Sequence, residues 1–189
     1  MSAHAHVPSL KTAEELAHID ATNKRTELVR GVLFVREPAG YQHGEVAAQL
    51  LVAIANHVNT NGLGRVFAAE TGFTLARNPD TVRAADVAFI STARLLHPPP
   101  RGFAELAPDL ALEVLSPDDR PGAVLAKVGD WLNAGARVVW VVDPIRAIAR
   151  VYRADGSESI LGETDTLRGE DILPGFEYQL SAVAGMGTR

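Results

Sequence analysis

The sequence of 189 residues contains no cysteine, which excludes disulfide bonds and thiolate metal sites and is typical of a cytoplasmic protein. No apolar run approaches the roughly 18 residues that a membrane-spanning helix requires. The first ten residues include two histidines and lack an apolar core, so we expect no secretory signal there. We therefore predict a cytoplasmic protein that does not bind membranes.

Lysine is also scarce, because only 3 of the 18 basic residues are lysine (Lys11, Lys24 and Lys127) and the others are arginine. The net charge of -5 argues against a protein that coats nucleic acid through a generally basic surface. It does not exclude an enzyme acting on nucleic acid, since carboxylates that hold a metal ion lower the net charge themselves. Apolar residues make up 47% of the chain, enough for a packed core.

The order of the elements predicts a single α/β domain over residues 25–182, with an irregular lead-in (1–24) and a frayed tail (183–189). In the lead-in, Thr12–His18 begins with a capping-box pattern and predicts a short helix. Residues 27–35 predict a hairpin that turns at Arg30-Gly31. Apolar residues four apart, from Val46 to Val58, predict a helix over 44–59 that ends at Gly62.

Two fully apolar strands and the helix between them are predicted to form a βαβ unit. The strands are 110–115 and 137–142, and the helix is 121–134, opened by Pro121. The short loops imply parallel strands and a right-handed crossover. Further strands are predicted at 65–67, 73–75, 86–90, 147–153 and 159–161, so we expect a mixed sheet flanked by helices.

Glu113 is the first candidate for chemistry, because it lies in a strand whose other residues are all apolar. A buried lone carboxylate is costly and needs a cation, a proton or several hydrogen-bond donors. The alternatives are a glutamate that faces water at a strand edge and one paired with an arginine.

Lys127 shares the apolar side of the following helix, three residues after Val124 and four before Trp131. Since that helix packs on the strand of Glu113, the lysine can reach the carboxylate. The alternative is a lysine that lies along the rim of the core with its charge in water.

Asp86 opens the strand that ends at Ile90 and could simply satisfy a turn. With Glu113 and Lys127, however, it completes a set of two carboxylates and an ammonium on neighbouring elements. Carboxylates a few ångströms apart repel unless a metal or a proton lies between them. Ligation by oxygen alone favours Mg²⁺ or Mn²⁺ over zinc.

Three further residues are accessory candidates: Glu27 in the first hairpin, His43 at the start of the long helix, and Glu70 between two strands. His43 is expected to point inward. Structural hydrogen bonds would explain Glu27 and His43 equally well, and an exposed turn would explain Glu70.

Short motifs, in a specific order over roughly residues 25–180, resemble the Uma-type restriction endonuclease family of the PD-(D/E)XK nuclease superfamily. They are Glu27-Leu28-Val29-Arg30-Gly31, Gly40-Tyr41-Gln42-His43, Asp86-Val87-Ala88-Phe89, residues 107–117 around Glu113, Lys127, Gly135 through Pro144, and Leu173-Pro174-Gly175-Phe176.

The resemblance implies a restriction-endonuclease-like fold and assigns Asp86, Glu113 and Lys127 as catalytic residues. It also implies that Asp86, Glu113 and the main-chain carbonyl of Val114 ligate Mg²⁺ or Mn²⁺. Leu115 occupies the position where the wider superfamily has its lysine, so the lysine is expected at Lys127 instead. The chain departs from its relatives at Ala123 and Trp131, where aspartate and tyrosine are usual, and we expect both changes to remove hydrogen bonds near the site.

These inferences predict a metal-dependent endonuclease that hydrolyses phosphodiester bonds in nucleic acid, with DNA the first expectation. Glu27 and Glu70 could serve a second ion. The alternatives are a non-catalytic module that binds nucleic acid or protein on the same fold, and a metal hydrolase of a small phosphate ester. A groove lined by Arg77, Arg83 and Arg101 would favour nucleic acid as the substrate, whereas a deep closed pocket would favour the small ester. The apolar strands late in the chain could also pair two copies into a homodimer.

Overall fold

The computed structural model of this protein describes residues 10–19 and 25–184. Two β-sheets lie at its centre. The larger sheet consists of β3 (Gly64–Ala68), β6 (Val87–Ser91), β7 (Leu110–Val114), β8 (Val138–Asp143), β9 (Ile148–Arg153) and β10 (Glu158–Leu161), in the order β10-β9-β8-β7-β6-β3. Its only parallel pair among these strands is β7 with β8, so the sheet is mixed.

The smaller sheet is built on the predicted hairpin. It consists of β1 (Arg25–Val29), β2 (Val32–Arg36), β4 (Gly72–Ala76) and β5 (Thr81–Ala84), in the order β2-β1-β5-β4. The hairpin turns at Arg30 and Gly31, whose φ angles of 49° and 77° are those of a tight primed turn. Helix α1 (Ala13–Leu16) packs on this sheet and carries the predicted capping box.

Helix α2 (Tyr41–Asn61) covers one face of the larger sheet. The apolar stripe predicted from the sequence is fully buried against it. The helix ends at Gly62, whose φ of 63° is left-handed, as predicted for a glycine that ends a helix. Helix α3 (Pro121–Asn133) covers the other face and buries Val128 and Trp131. The sheet is thus enclosed between two helices, and the predicted βαβ unit is confirmed.

Three strands were not predicted. Residues 81–84 and the pair β11 (Thr166–Arg168) and β12 (Glu177–Gln179) are short and carry charged residues, so they lack an apolar run. The acidic stretch 163–171 includes strand β11, whose Leu167 is fully buried. The omission of β5 matters for the site, because this strand carries Arg83.

Helix α4 (Ser181–Ala184) lies where the predicted domain meets the predicted tail, and it packs Val183 into the core. Residues 185–189 of that tail, and residues 1–9 and 20–24 of the predicted lead-in, lie outside the described residues. The domain limits at 25 and 182 stay a prediction. Within the described part of the chain, none of the helices combines the length and apolarity needed to cross a membrane.

Candidate metal centre

The two predicted carboxylates meet across neighbouring strands. Val87 on β6 pairs with Leu112 on β7, and the amide of Asp86 donates to the carbonyl of Leu112 at 3.0 Å. Continued by one residue, this antiparallel register brings Asp86 opposite Glu113. Directly opposed residues of an antiparallel pair project from the same face of a sheet. This register places the side chains of Asp86 and Glu113 at the N-terminal end of β6, on the face of the sheet that α3 covers.

Glu113 is buried, and each of its carboxylate oxygens accepts one hydrogen bond. Lys127 Nζ donates to Oε2 at 2.8 Å, and Trp131 Nε1 donates to Oε1 at 2.9 Å. Burial raises the pKa of Glu113 to about 7 and outweighs the attraction of Lys127, while the charge of Asp86 raises it further.

Lys127 lies among three oxygen acceptors on the inner side of α3. Its Nζ is 2.8 Å from Glu113 Oε2, 3.0 Å from Glu27 Oε1 and 2.8 Å from the carbonyl of Ala84. Burial lowers the pKa of Lys127, but the charges of Glu113 and Glu27 outweigh it, so the net shift is upward. The lysine stays charged, and the contact with Glu113 predicted from helix periodicity is confirmed.

Asp86 is buried and held by donors from three other elements. Arg25 Nη2 donates to Oδ1 at 2.8 Å, the amide of Val114 donates to Oδ2 at 2.8 Å, and His43 Nε2 lies 3.2 Å from Oδ2. Burial raises the pKa of Asp86, but the bond and charge of His43, the Val114 amide and Arg25 together lower it well below its usual range. This carboxylate is ionised at neutral pH.

Glu27 links the site to a buried ion pair. Its Oε2 accepts from Arg83 at 3.0 Å, and Oε1 accepts from the amide of Ala84 at 3.0 Å. Arg83 Nε donates in turn to Asp130 on α3 at 2.9 Å. Burial raises the pKa of Glu27, but Lys127 and Arg83 outweigh it, so the net shift is downward. Glu27 thus holds Lys127 from the side opposite Glu113.

All the predicted site residues line one cavity of about 660 Å³. They are Glu27, His43, Glu70, Asp86, Glu113, Val114 and Lys127. His43 is buried as predicted, and its second ring nitrogen, Nδ1, has no hydrogen-bond partner within the described residues. Glu70 lies in an exposed turn and pairs with Arg25. The structure brings the residues together; their roles in chemistry stay a prediction.

Three residues at the site were not assigned from the sequence: Arg25, Arg83 and Asp130. An arginine in a short polar strand looks like any other surface arginine until the strand order is known. The expectation for Trp131 was wrong: this residue does not cost the site a hydrogen bond, because its indole N–H replaces the hydroxyl expected of a tyrosine. Ala123, where relatives usually carry aspartate, lines the cavity with an apolar side chain.

A groove lined by Arg77, Arg83 and Arg101, which would have favoured nucleic acid, is not found at the cavity. Arg83 is buried in its ion pairs, and Arg77 is engaged by Glu14, Asp80 and Glu105 away from the cavity. Arg101, although exposed, is also absent from the lining. Instead, two other solvent-facing arginines, Arg36 and Arg120, line the cavity on the sides of β2 and α3.

The donor set fits a hard divalent cation. Of the charged side chains that line the cavity, seven are acidic and four are basic. Each oxygen of Glu113 accepts one donor, although a carboxylate oxygen can accept about two. Within residues 10–19 and 25–184, no cluster of three or more histidine or acidic side chains could hold a metal ion alone. Mg²⁺, however, commonly uses one or two carboxylates and completes its shell with water and substrate phosphate.

Comparison with known families assigns the chain. Residues 12–183 match the model of the Uma2 family, described as "Putative restriction endonuclease". The chain belongs to the Uma2 family. A crystal structure from Anabaena variabilis ATCC 29413, described as a "putative nuclease belonging to DUF820", is similar in fold. The two sequences are 20% identical, the match covers 92% of this chain and 97% of the Anabaena chain, and the TM-score is 0.79.

At this identity the likeness between the Uma2 chain and the Anabaena structure establishes the fold, and the predicted restriction-endonuclease-like architecture is confirmed. No curated protein matches the chain. The family resemblance predicted from short motifs is confirmed over most of the sequence.

Proposed function

We propose that this protein is a nuclease that hydrolyses phosphodiester bonds in nucleic acid with the help of Mg²⁺ or Mn²⁺. The observation that carries the proposal is the convergence of Asp86, Glu113 and Lys127, from three separate elements, on one cavity. The Uma2 family description supports a nuclease. DNA is the substrate to test first.

In this proposal Asp86, Glu113 and the main-chain carbonyl of Val114 hold the metal ion. When bound, such an ion polarises a phosphate and lowers the pKa of a water ligand. The protein contributes the placement of its two carboxylates. His43 and the Val114 amide hold Oδ2 of Asp86, while Trp131 and Lys127 fix Glu113. Carboxylates held in this way need no rearrangement of their own when a ligand arrives.

Lys127 is proposed to act on the phosphate or on the attacking water. Glu27 and Glu113 hold its ammonium from two sides, so it stays charged and in place at the cavity wall. A fixed cation at this point stabilises negative charge that develops on a phosphate during hydrolysis. Glu27 and His43 serve as accessory residues that position Lys127 and Asp86, and Glu70 positions Arg25.

The solvent-facing arginines support nucleic acid over a small phosphate ester. Arg36 and Arg120 lie at the cavity, exposed to water, where they can meet neighbouring phosphates of a longer chain. Arginine suits bidentate contact with phosphate. A small ester would have no use for two further arginines at the cavity.

The test is cleavage of plasmid DNA and of single-stranded and structured oligonucleotides with Mn²⁺, Mg²⁺ or EDTA. We expect cleavage that requires the metal and that Asp86→Asn and Glu113→Gln both abolish. A matched control is Glu158→Gln, since Glu158 is an acidic residue on edge strand β10 that pairs with Arg150 outside the cavity. Metal binding without cleavage of any nucleic acid would favour a non-catalytic binding module on this fold.

A further inference from the structure

Arg25 lies between two carboxylates in the cavity where we place the divalent ion. Its Nη2 donates to Asp86 Oδ1 at 2.8 Å, and its Nε lies 2.8 Å from Glu70 Oε1. The two partners differ in environment, because the side chain of Asp86 is 3% exposed and that of Glu70 is 56% exposed. One end of the contact is therefore buried, and the other is at the solvent.

The guanidinium competes with an ion for Asp86. Oδ2 of this carboxylate already receives the Val114 amide and faces His43, so Oδ1 is the less occupied oxygen, and Arg25 holds it. A divalent ion that binds Asp86 would bring two further positive charges next to the guanidinium. Like charges on one buried carboxylate repel strongly where water is largely excluded. Entry of the ion therefore favours the departure of Arg25.

We infer that Arg25 has two successive ligands: Asp86 in the metal-free protein, and a phosphate of the nucleic acid once the ion has taken Asp86. This inference rests on the proposed function. It makes Arg25 a counter-ion of Asp86 before the ion binds and a substrate ligand afterwards.

Glu70 gives the guanidinium a second attachment while it leaves Asp86. Because Glu70 is exposed, its bond to Nε can hold Arg25 at the cavity wall without burying another charge. Arg25 also lines an adjoining cavity of about 620 Å³ along α2, so a released guanidinium has room to move. Its planar set of donors matches two oxygens of a phosphate, which a lysine ammonium cannot do in the same way.

A permanent structural counter-ion would behave differently. In that case the loss of Arg25 would lower the stability of the fold, and it would still tighten metal binding, because a positive charge next to Asp86 is removed. The effect on nucleic-acid affinity would then not depend on metal. The dependence of nucleic-acid affinity on metal therefore distinguishes the two roles, whereas tighter metal binding is expected for both.

The first measurement is calorimetric titration of Mn²⁺, without substrate, into wild type, Arg25→Gln and Arg36→Gln. Arg36 is the matched control, because it also carries a positive charge at the cavity but pairs with Asp119 at 3.3 Å and is 45% exposed. We expect Arg25→Gln to bind Mn²⁺ at least about tenfold more tightly, since a charge-assisted bond no longer has to be broken. Arg36→Gln should change the affinity by less than about threefold, because exposed charges are screened.

The second measurement is the anisotropy of a fluorescent oligonucleotide, in EDTA and in Ca²⁺, with the same three proteins. In EDTA, Arg25 is held by Asp86, so Arg25→Gln should bind the oligonucleotide as wild type does. In Ca²⁺ the variant should bind at least about tenfold more weakly than wild type, because it lacks the released phosphate ligand. The loss caused by Arg36→Gln should be the same in both conditions.

Tighter Mn²⁺ binding together with a metal-dependent loss of oligonucleotide affinity supports the inference, and the absence of either effect in Arg25→Gln overturns it. No Mn²⁺ binding by wild type or any variant would overturn the proposed function as well. Urea unfolding in EDTA checks that Arg25→Gln is folded. If Arg25→Gln is not folded, Arg25→Lys takes its place, since lysine keeps the charge without the planar donors. A variant whose oligonucleotide affinity no longer rises with metal would then support the inference, and a variant whose affinity still rises would overturn it.

Discussion

Raising the pH of the metal-free protein should weaken its fold through Glu113. The folded state raises the pKa of this carboxyl from 4.5 to about 7, chiefly because burial disfavours the charge. Between these two values the unfolded chain has already lost the proton that the folded chain still holds. Folding stability must therefore fall as the pH rises through this window, and the loss is complete above about pH 7. The shift corresponds to a loss of about 3 kcal/mol.

The assay is urea unfolding in EDTA at a series of pH values, with wild type compared with Glu113→Gln. The difference between the two proteins removes the titration of all other groups to first approximation. We expect the free energy of unfolding of wild type to fall by about 3 kcal/mol relative to the variant between pH 4.5 and 8. With saturating Mn²⁺ the fall should shrink, because the ion binds the ionised carboxylate. A difference that does not change with pH would refute the reasoning.

Three further changes test the packing and charges around the site. Lys127→Met should lower the free energy of unfolding by about 3 kcal/mol, because it leaves two buried carboxylates without their shared cation. The variant should also lose nucleic-acid cleavage, and cleavage at the wild-type rate would exclude the lysine from the mechanism. Arg83→Met should also lower the free energy of unfolding in urea by ~3 kcal/mol, because Arg83 pairs with buried Glu27. The control Arg150→Met removes an exposed charge and should lower it by less than about 0.5 kcal/mol. Equal effects of the two variants would contradict the importance of the buried pair. Gly64→Ala would place a methyl group 2.1 Å from the carbonyl oxygen of Ile90 on β6, so it should lower the free energy of unfolding by more than ~3 kcal/mol. Gly122→Ala is the control, because its methyl group meets open space; it should raise the stability measured by thermal unfolding by about 0.5 kcal/mol.

The sequence predicted those parts of the site that lie on strongly patterned elements. Glu113 stands out because the strand around it is apolar on both faces, and Lys127 follows from the 3.6-residue period of α3. A single buried polar residue in such an element is a clear exception to its pattern. The contact between the two side chains could therefore be predicted before the fold was known.

The residues that complete the site could not be predicted, because they depend on strand order. Arg25 and Arg83 lie on β1 and β5, short strands in which at least half of the residues are polar. Their contacts with Asp86 and Glu27 span 61 and 56 residues of sequence. Only the pairing of β5 between β1 and β4 brings these side chains together, and no local pattern encodes that order.

The role of Trp131 was predicted wrongly for a related reason. Its position on the buried side of α3 was clear, but a large indole there is most simply interpreted as core. That its N–H reaches Glu113 depends on the packing of α3 over β7. A hydrogen bond from a side chain inside the core can be assigned only when the distance to its acceptor is known.

The most direct test of the metal centre is calorimetric titration of Mn²⁺ into wild type and into the Asp86→Asn/Glu113→Gln double variant, at pH 8 where Glu113 is ionised. It requires no knowledge of the nucleic-acid substrate. We predict saturable binding by wild type that the double variant loses, with circular dichroism showing that both proteins are folded. Equal binding by the two folded proteins, or no binding by wild type in the absence and in the presence of an oligonucleotide, would contradict a metal site formed by Asp86 and Glu113.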